Sequence, residues 1–371
     1  MNGQVESDPP EVLLTGATGF FGRTLLETFT RAGHRVRALV PPESRPALRA
    51  LVARLERRDA AAAGRVVPLE GDMISPGLGL DAVTLEALTS SVGWIVHSAS
   101  LTEPAMHPRR LEEVNVRGTD QLVAFAHRCT NLKMFAHMSS AFVSGDYPGR
   151  FYEDWLDVGQ TFSNPVARSK FEAEHHVRAA SRSLPVVVMR PGFLAGEART
   201  GACDGDRGLF PLYGIATGLA VTIPVWWPLL APDGRDRHVP ITPNDYAAEA
   251  TLAILRDPSN AGRTYCLVDP DPPTVRDLVD HLGEMVGRPL YRVPMRPLTR
   301  IPMLGPGRLL GSGHAVTRRI GGSPISLYFL LLRNEYDTTN TRAALGDSGV
   351  ACPPFEDYLK QYFDYFVEHH G

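Results

Sequence analysis

The chain has 371 residues, 43% of them hydrophobic and 21% charged, with a formal net charge of -3. That is an ordinary globular composition, long enough for one large or two modest domains. It holds no block of like charge, which speaks against nucleic acid as a partner. Four scattered cysteines (Cys129, Cys203, Cys266 and Cys352) form no CxxC pair and speak against a disulfide framework or a metal site.

The first ten residues are polar and lack the apolar core of a secretory signal. Apolar patches at 215–230 and 326–332 are broken by Gly and Pro or are too short to cross a bilayer. The expectation is a cytoplasmic chain with no integral membrane segment. Its basic residues are nearly all Arg, with Lys at 133, 170 and 360 alone.

The N-terminal half alternates short β-branched runs with amphipathic stretches. A buried strand is expected over 12–14, a helix over 22–32 stopped by Gly33, and a strand over 35–40 stopped by Pro41-Pro42. A helix follows over 46–58. Strands are expected over 65–69, 94–97, 134–138 and 186–189, with helices over 112–128 and 165–181 among the later ones. This alternation predicts an α/β fold, a doubly wound parallel sheet of Rossmann type. After Arg190-Pro191 the pattern loosens. A helix over 244–255, a strand over 264–268, a helix over 274–286 and a last helix over 354–369 remain. The domains are therefore drawn as a dinucleotide-binding part, 8–190, and a smaller substrate-binding part, 191–371, some of which returns to the main sheet.

Between the first strand and helix stands Thr15-Gly16-Ala17-Thr18-Gly19-Phe20-Phe21-Gly22. Glycines at such a turn let the backbone approach a pyrophosphate, and the helix start offers free N–H groups and partial positive charge. Further signals follow: Gly71-Asp72-Met73, His97-Ser98-Ala99-Ser100, Asn115-Val116-Arg117-Gly118-Thr119 and Arg190-Pro191-Gly192.

Together these motifs resemble the extended short-chain dehydrogenase/reductase family along nearly the whole chain. The stretches at 71–80 and 335–358 are most similar to its thioester-reductase and fatty-acyl-CoA-reductase branch. The resemblance implies a cofactor site built from Thr15, Gly16, Thr18, Gly19, Phe20, Phe21, Gly22, Arg23, Asp72, Met73, Ser98, Ala99, Ser100, Asn115, Lys170, Pro191 and Gly192. It also implies a homodimer.

An NAD site usually ends its second strand on an acid that binds the ribose 2′-hydroxyl. Here that strand runs Leu39-Val40-Pro41-Pro42, with Glu43 late and Arg23, Arg45 and Arg54 near in sequence. Guanidinium groups suit a 2′-phosphate, so the reading favours NADP(H) over NAD(H).

The family resemblance implies a catalytic Ser or Thr, a Tyr and a Lys. Ser140 stands at the hydroxyl position, with Ser139 as the fallback. In Asn164-Pro165-Val166-Ala167-Arg168-Ser169-Lys170 the lysine is in place, but Val166 stands where the family has tyrosine. Valine has no proton to give. Three readings follow. In the first, the chain is a reductase of an acyl thioester, aldehyde or ketone in secondary metabolism, with a substitute proton source. Tyr147, Tyr152, His175, His176, Lys170 itself or water are the candidates, and a thioester substrate, with its good thiolate leaving group, lessens the need for a phenol. In the second, it is a non-redox cyclase, isomerase, dehydratase or lyase. In the third, it is a non-catalytic dinucleotide-binding module.

On the substrate side, Phe210, Tyr213 and Trp226-Trp227 suit an apolar acyl pocket or a small core. The run Arg235-Asp236-Arg237-His238 suits a pantetheine phosphate or a solvated loop. A small-molecule or carrier-bound acyl group is the expected partner.

Overall fold

The computed structural model describes residues 9–103, 106–203, 208, 229–233, 237–285, 287, 290–294 and 334–370. Phe210, Tyr213, Trp226, Trp227, Arg235 and Asp236 lie outside the described residues. Alternation of strand and helix in the first half produces β1 (Glu11–Thr15), α1 (Phe20–Arg31), β2 (Val36–Val40), α2 (Arg45–Arg58) and β3 (Val66–Glu70). Then come α3 (Ala82–Ser91), β4 (Val92–His97), α4 (Pro108–Leu111), α5 (Gly118–Ala126) and β5 (Met134–Met138). Next are β6 (Gly149–Phe151), α6 (Pro165–Ala180), β7 (Val186–Pro191), β8 (Phe193–Leu194), β9 (Leu229–Asp233) and β10 (Ile241–Thr242). The chain continues through α7 (Asn244–Arg256), β11 (Thr264–Leu267), α8 (Val275–Met285) and β12 (Leu290–Pro294). It ends with β13 (Asn334–Tyr336), α9 (Thr339–Leu345) and α10 (Phe355–His370).

Seven strands form the main sheet in the order β11-β7-β5-β4-β1-β2-β3. Its strand order reverses at β1 and β4, whose carboxyl ends therefore flank the crevice where such sheets bind ligands. β4 and β5 are buried at every residue, as parallel strands covered on both faces are. Leu13, Ile95, Phe135, Leu122, Phe125 and Val188 share an apolar cluster around them.

Compactness divides the chain into two units that interleave. The first comprises Met1–Ser139, Ser169–Met189 and Thr251–Tyr265; the second comprises Ser140–Arg168, Arg190–Ala250 and Cys266–Gly371. The division at residue 190 drawn from the sequence differs from this. The segment after β5 belongs to the second unit, and α7 with the start of β11 brings the chain back to the first. A linear cut misses this because a parallel strand pairs with a neighbour far away in sequence.

Two local departures bear on the site. The helix expected over 112–128 has a widened π turn at Glu112–Arg117 between α4 and α5. Such turns break the regular helical pairing and are common at functional sites. The short strands β6, β8, β10 and β13 were not anticipated; each has two or three residues, too few for a visible period.

Candidate cofactor site and buried polar file

Gly16 follows β1 with φ +76, and a Cβ there would lie 2.6 Å from the Ala99 backbone nitrogen. A Cβ on Gly22 would lie 1.8 Å from the Gly16 oxygen. The protein's own packing therefore demands the first and third glycines. Gly19 is different. It is exposed, has an ordinary φ of -74, and its Cβ would meet only the Gly16 oxygen, at 3.1 Å. Its missing side chain leaves the backbone there open to approach from outside.

α1 begins immediately afterwards with no side-chain cap and no acid in its first turn. Its first N–H groups and its dipole are left for an anion, which is the requirement of a pyrophosphate. Arg23 braces the turn, its Nε donating to the Thr18 carbonyl at 3.1 Å. Phe21 is buried in the core, so only its backbone faces the loop's function. These features fit a dinucleotide.

Beneath the loop runs a continuous file of hydrogen bonds. Thr119 donates its hydroxyl to the Asn115 carbonyl at 2.6 Å. Its oxygen can then accept from His97 Nε2, 2.9 Å away. That assignment leaves His97 Nδ1 bare to accept from the Thr15 hydroxyl at 2.8 Å. The Thr15 oxygen in turn accepts from Ala99 N at 3.2 Å. Burial holds His97 neutral, its pKa pushed well below the ordinary histidine value.

Asn115 sits in the π turn. Its amide clamps Leu101 through N–H to Oδ1 at 2.7 Å and Nδ2 to the carbonyl at 2.9 Å, and donates to Ser169 Oγ at 2.9 Å. One file thus ties the glycine turn, the Ser98-Ala99-Ser100 loop and α6. The Asp72 carboxylate caps its own turn, accepting from Ile74 N and Ser75 Oγ. Met73 lies against Gly118, where a Cβ would come 2.4 Å from its Cε.

Lys170 stands in α6, one turn after Val166. It is 7% exposed, and its Nζ donates to the Met138 carbonyl at 2.8 Å. Burial lowers its pKa to about 8, against the opposing pull of Glu174. His137 is level with His97 across β5 and β4, with ring centres 5.3 Å apart. Burial, helped by the Lys170 charge, lowers its pKa to about 3. Neither His137 ring nitrogen has a hydrogen-bond partner among the described residues.

Glu174 is fully buried, accepting from Ser139 Oγ at 2.5 Å and from Arg178 Nε at 2.8 Å. Ser139, the fallback hydroxyl, is therefore taken. Ser140 is half-buried and opens a 3₁₀ turn over Ala141–Ser144, its Oγ accepting from Phe142 N at 3.3 Å. Its own O–H proton is left for another acceptor. Among the expected substitutes for the phenol, Tyr147 packs edge-on to Phe151 and Trp155, while Tyr152 is 43% exposed against Trp155. His175 is exposed, and His176 bonds Asp120 at 2.8 Å. Gly192 has a packing reason: its N–H donates to Thr242 Oγ1 at 2.8 Å, and a Cβ would lie 2.1 Å from the Pro240 oxygen. Pro191 beside it is buried.

Glu174, His137, Thr119 and Ser169 were not anticipated from the sequence. The available signal was positional: two histidines at matching positions of adjacent parallel strands. A glutamate inside a helix carries no comparable mark. Among the described residues no cluster of three or more His, Cys, Asp or Glu is placed to hold a metal, and no helix is long and apolar enough to cross a membrane.

A parallel sheet with a glycine turn at its switch point, an N-V-x-G-T helix and a buried lysine define an oxidoreductase fold of the extended short-chain dehydrogenase/reductase type. The family model for the NAD-binding male sterility protein matches residues 14–251, and the chain belongs to that family. A linear gramicidin synthase of Brevibacillus parabrevis is 29% identical over 78% of this chain and 6% of its own length. The aldehyde reductase lnaA of Aspergillus flavus is 28% identical over 98% of this chain and 37% of its own. The chain thus spans well under half of either relative. The terminal R domain from the myxalamid PKS-NRPS biosynthetic pathway superposes with a TM-score of 0.80 at 27% identity, covering 99% of this chain and 92% of that one.

Proposed function

We propose that the chain is an NADP(H)-dependent reductase that takes a carrier-bound acyl thioester to its aldehyde. The observation that carries this is the glycine turn, open at Gly19 and uncapped at α1, joined by one hydrogen-bonded file to the helix that holds Lys170. A nicotinamide dinucleotide supplies a hydride when bound. Thr15, Gly16, Thr18, Gly19, Phe20, Gly22 and the N–H of Phe21 would hold its pyrophosphate, Asp72 and Met73 its adenine end, and Ser98, Ala99 and Ser100 its middle. Asn115 acts through the loop it clamps. Lys170 would hold the nicotinamide ribose, and Ser140 would polarise the substrate oxygen.

The preference for NADP(H) rests on Arg23 in the first turn of α1 and on a second strand that ends without an acid, at Val40-Pro41. The carrier-bound substrate rests on the kinship with the gramicidin synthase and the R domain. A cytoplasmic enzyme fits this chemistry. The absent phenol at Val166 favours a second reading, a non-redox enzyme on the same scaffold. Both are tested by titrating the protein with NADPH and NADH in a calorimeter and then following nicotinamide absorbance with an acyl-pantetheine thioester. Tight NADPH binding and absorbance loss matched by aldehyde support the reductase. Product without absorbance change supports the second reading.

A further inference from the structure

A thioester carbonyl that accepts hydride must also accept a proton, and Val166 has none to give. The first unit gathers four titratable side chains on β4, β5 and α6: His97, His137, Glu174 and Lys170. In the assigned tautomer His97 gives its N–H to Thr119, and a neutral imidazole cannot give up that proton without becoming an anion. His137 is likewise neutral and meets the same barrier. Glu174 is occupied by Ser139 and Arg178 as an acceptor on both oxygens. Lys170 has three N–H donors, and the Met138 carbonyl takes one.

Building on the reductase reading, we propose that Lys170 is itself the catalytic acid, giving a proton from Nζ to the substrate oxygen in place of the missing phenol. As a hydride from the dihydronicotinamide forms the new C–H bond at the thioester carbon, the carbonyl electron pair moves to oxygen. There it takes a proton from Nζ: an O–H bond forms, an N–H bond breaks, and Lys170 becomes a neutral amine. The nicotinamide is oxidised and the thioester carbon reduced to a hemithioacetal. Collapse returns the O–H proton to Nζ, breaks the C–S bond and releases a thiolate, which takes its proton from solvent. The net consumption is one hydride and one proton.

The surroundings suit this role. An ordinary lysine holds its proton too tightly near neutrality to be a good acid. Lys170 is buried, close enough to His137 for its charge to be felt there, and its Nζ bonds a carbonyl rather than a carboxylate. Its lowered pKa, about 8, is matched to work at neutral pH. His137, left without hydrogen-bond partners among the described residues, adds polar surroundings without adding a negative charge that would tighten the hold of Nζ on its proton.

The decisive variant is Lys170→Arg, which keeps a cation and its hydrogen bonds to a ribose but does not release a proton in this range. Its kcat is expected to fall by about 100-fold or more, while the NADPH dissociation constant stays within about threefold, roughly half of one tenfold step. Nitrogen NMR of the lysine side chains in the cofactor-free protein supplies a readout apart from activity, since only three lysines are present. Lys170 is expected to titrate near 8, below the ordinary lysine value of about 10.4. Wild-type kcat should hold level below that value and decline above it. A Lys170→Arg enzyme that keeps its kcat and loses NADPH affinity overturns the assignment and makes Lys170 a ribose ligand alone. A Lys170 that titrates at the ordinary lysine value, about 10.4, overturns it as well. No turnover by the wild-type protein sinks the reductase reading itself; turnover that survives in Lys170→Arg sinks only the acid.

Discussion

The polar file of the first unit and the buried carboxylates Glu153, Asp269 and Asp245 of the second put buried polar groups to different uses. In the first, the file from Ala99 through Thr15, His97 and Thr119 to Asn115 ends on loops, and its neighbours His137 and Lys170 keep donors and acceptors in hand. In the second, buried carboxylates are saturated by the chain itself. Glu153 is 1% exposed and accepts from Cys266 N at 2.7 Å, Asn340 N at 2.5 Å, Thr341 N at 3.1 Å and Thr341 Oγ1 at 2.6 Å. Asp269 accepts from Tyr358 at 2.6 Å, and Asp245 from the backbone of Ala198 and Arg199. Satisfied carboxylates hold irregular chain in place. Incompletely satisfied groups beside the glycine turn leave hydrogen-bonding capacity open to a ligand.

The strongest way to break this contrast is Glu153→Leu. It strands three backbone N–H donors, of Cys266, Asn340 and Thr341, around one apolar side chain, and a loss of about 3–5 kcal/mol is expected. Urea unfolding measures it. A loss below about 1 kcal/mol would show that the second unit does not depend on its carboxylate.

Next in size is acid sensitivity in the first unit. His137 is held neutral down to about pH 3, and His97 is also pushed well below its ordinary value. An unfolded histidine protonates near about 6.5. Below that pH the unfolded chain binds protons that the folded one refuses, so stability falls on acidification. From pH 7 to 5 each residue should remove about 2 kcal/mol. His137→Phe should remove about 2 kcal/mol of the loss between these pH values; an unchanged slope would place the acid-sensitive groups elsewhere.

The same contrast explains what the sequence could tell. Strand β5 is the expected 134–138, and α7, Asn244–Arg256, runs one residue past its expected end, because hydrophobic period and flanking turn residues determine such elements locally. The glycine turn was legible because the positive φ of Gly16 and the approach of Gly22 to the Gly16 oxygen are demands set within the turn. The π turn and the burial of Glu174 were not. The hydrogen bonds they make run to partners distant in sequence, Ser139 being 35 residues from Glu174 and Leu101 14 residues from Asn115. Lys170 was legible by motif position, but its lowered pKa depends on burial that no local pattern reveals.

The glycine turn offers a paired test of smaller size. Gly22→Ala places a methyl 1.8 Å from the Gly16 oxygen, so both the melting temperature and NADPH affinity should fall. Gly19→Ala meets the protein only at 3.1 Å. Its melting temperature should fall less than that of Gly22→Ala, while NADPH affinity drops about tenfold or more, equal to about 1.4 kcal/mol. If Gly19→Ala binds NADPH as the wild type does, no ligand presses on that backbone and the cradle lies elsewhere.

The smallest effect belongs to the choice between the two nicotinamide dinucleotides. Arg45 is exposed and already paired with Glu70 at 2.7 Å, whereas Arg23 is half-buried and braces the turn through Thr18. An exposed ion pair contributes about 0–1 kcal/mol, so Arg45→Ala should leave stability nearly unchanged. If a 2′-phosphate is held mainly by Arg23, Arg45→Ala weakens NADPH by less than about threefold, which is under 1 kcal/mol, and leaves NADH as it was. Arg23→Ala should weaken both, because the Thr18 contact shapes the turn that holds the shared pyrophosphate, but NADPH more than NADH. A loss confined to NADPH in Arg45→Ala alone would instead give the discrimination to α2, with Glu70 as the partner that the phosphate displaces.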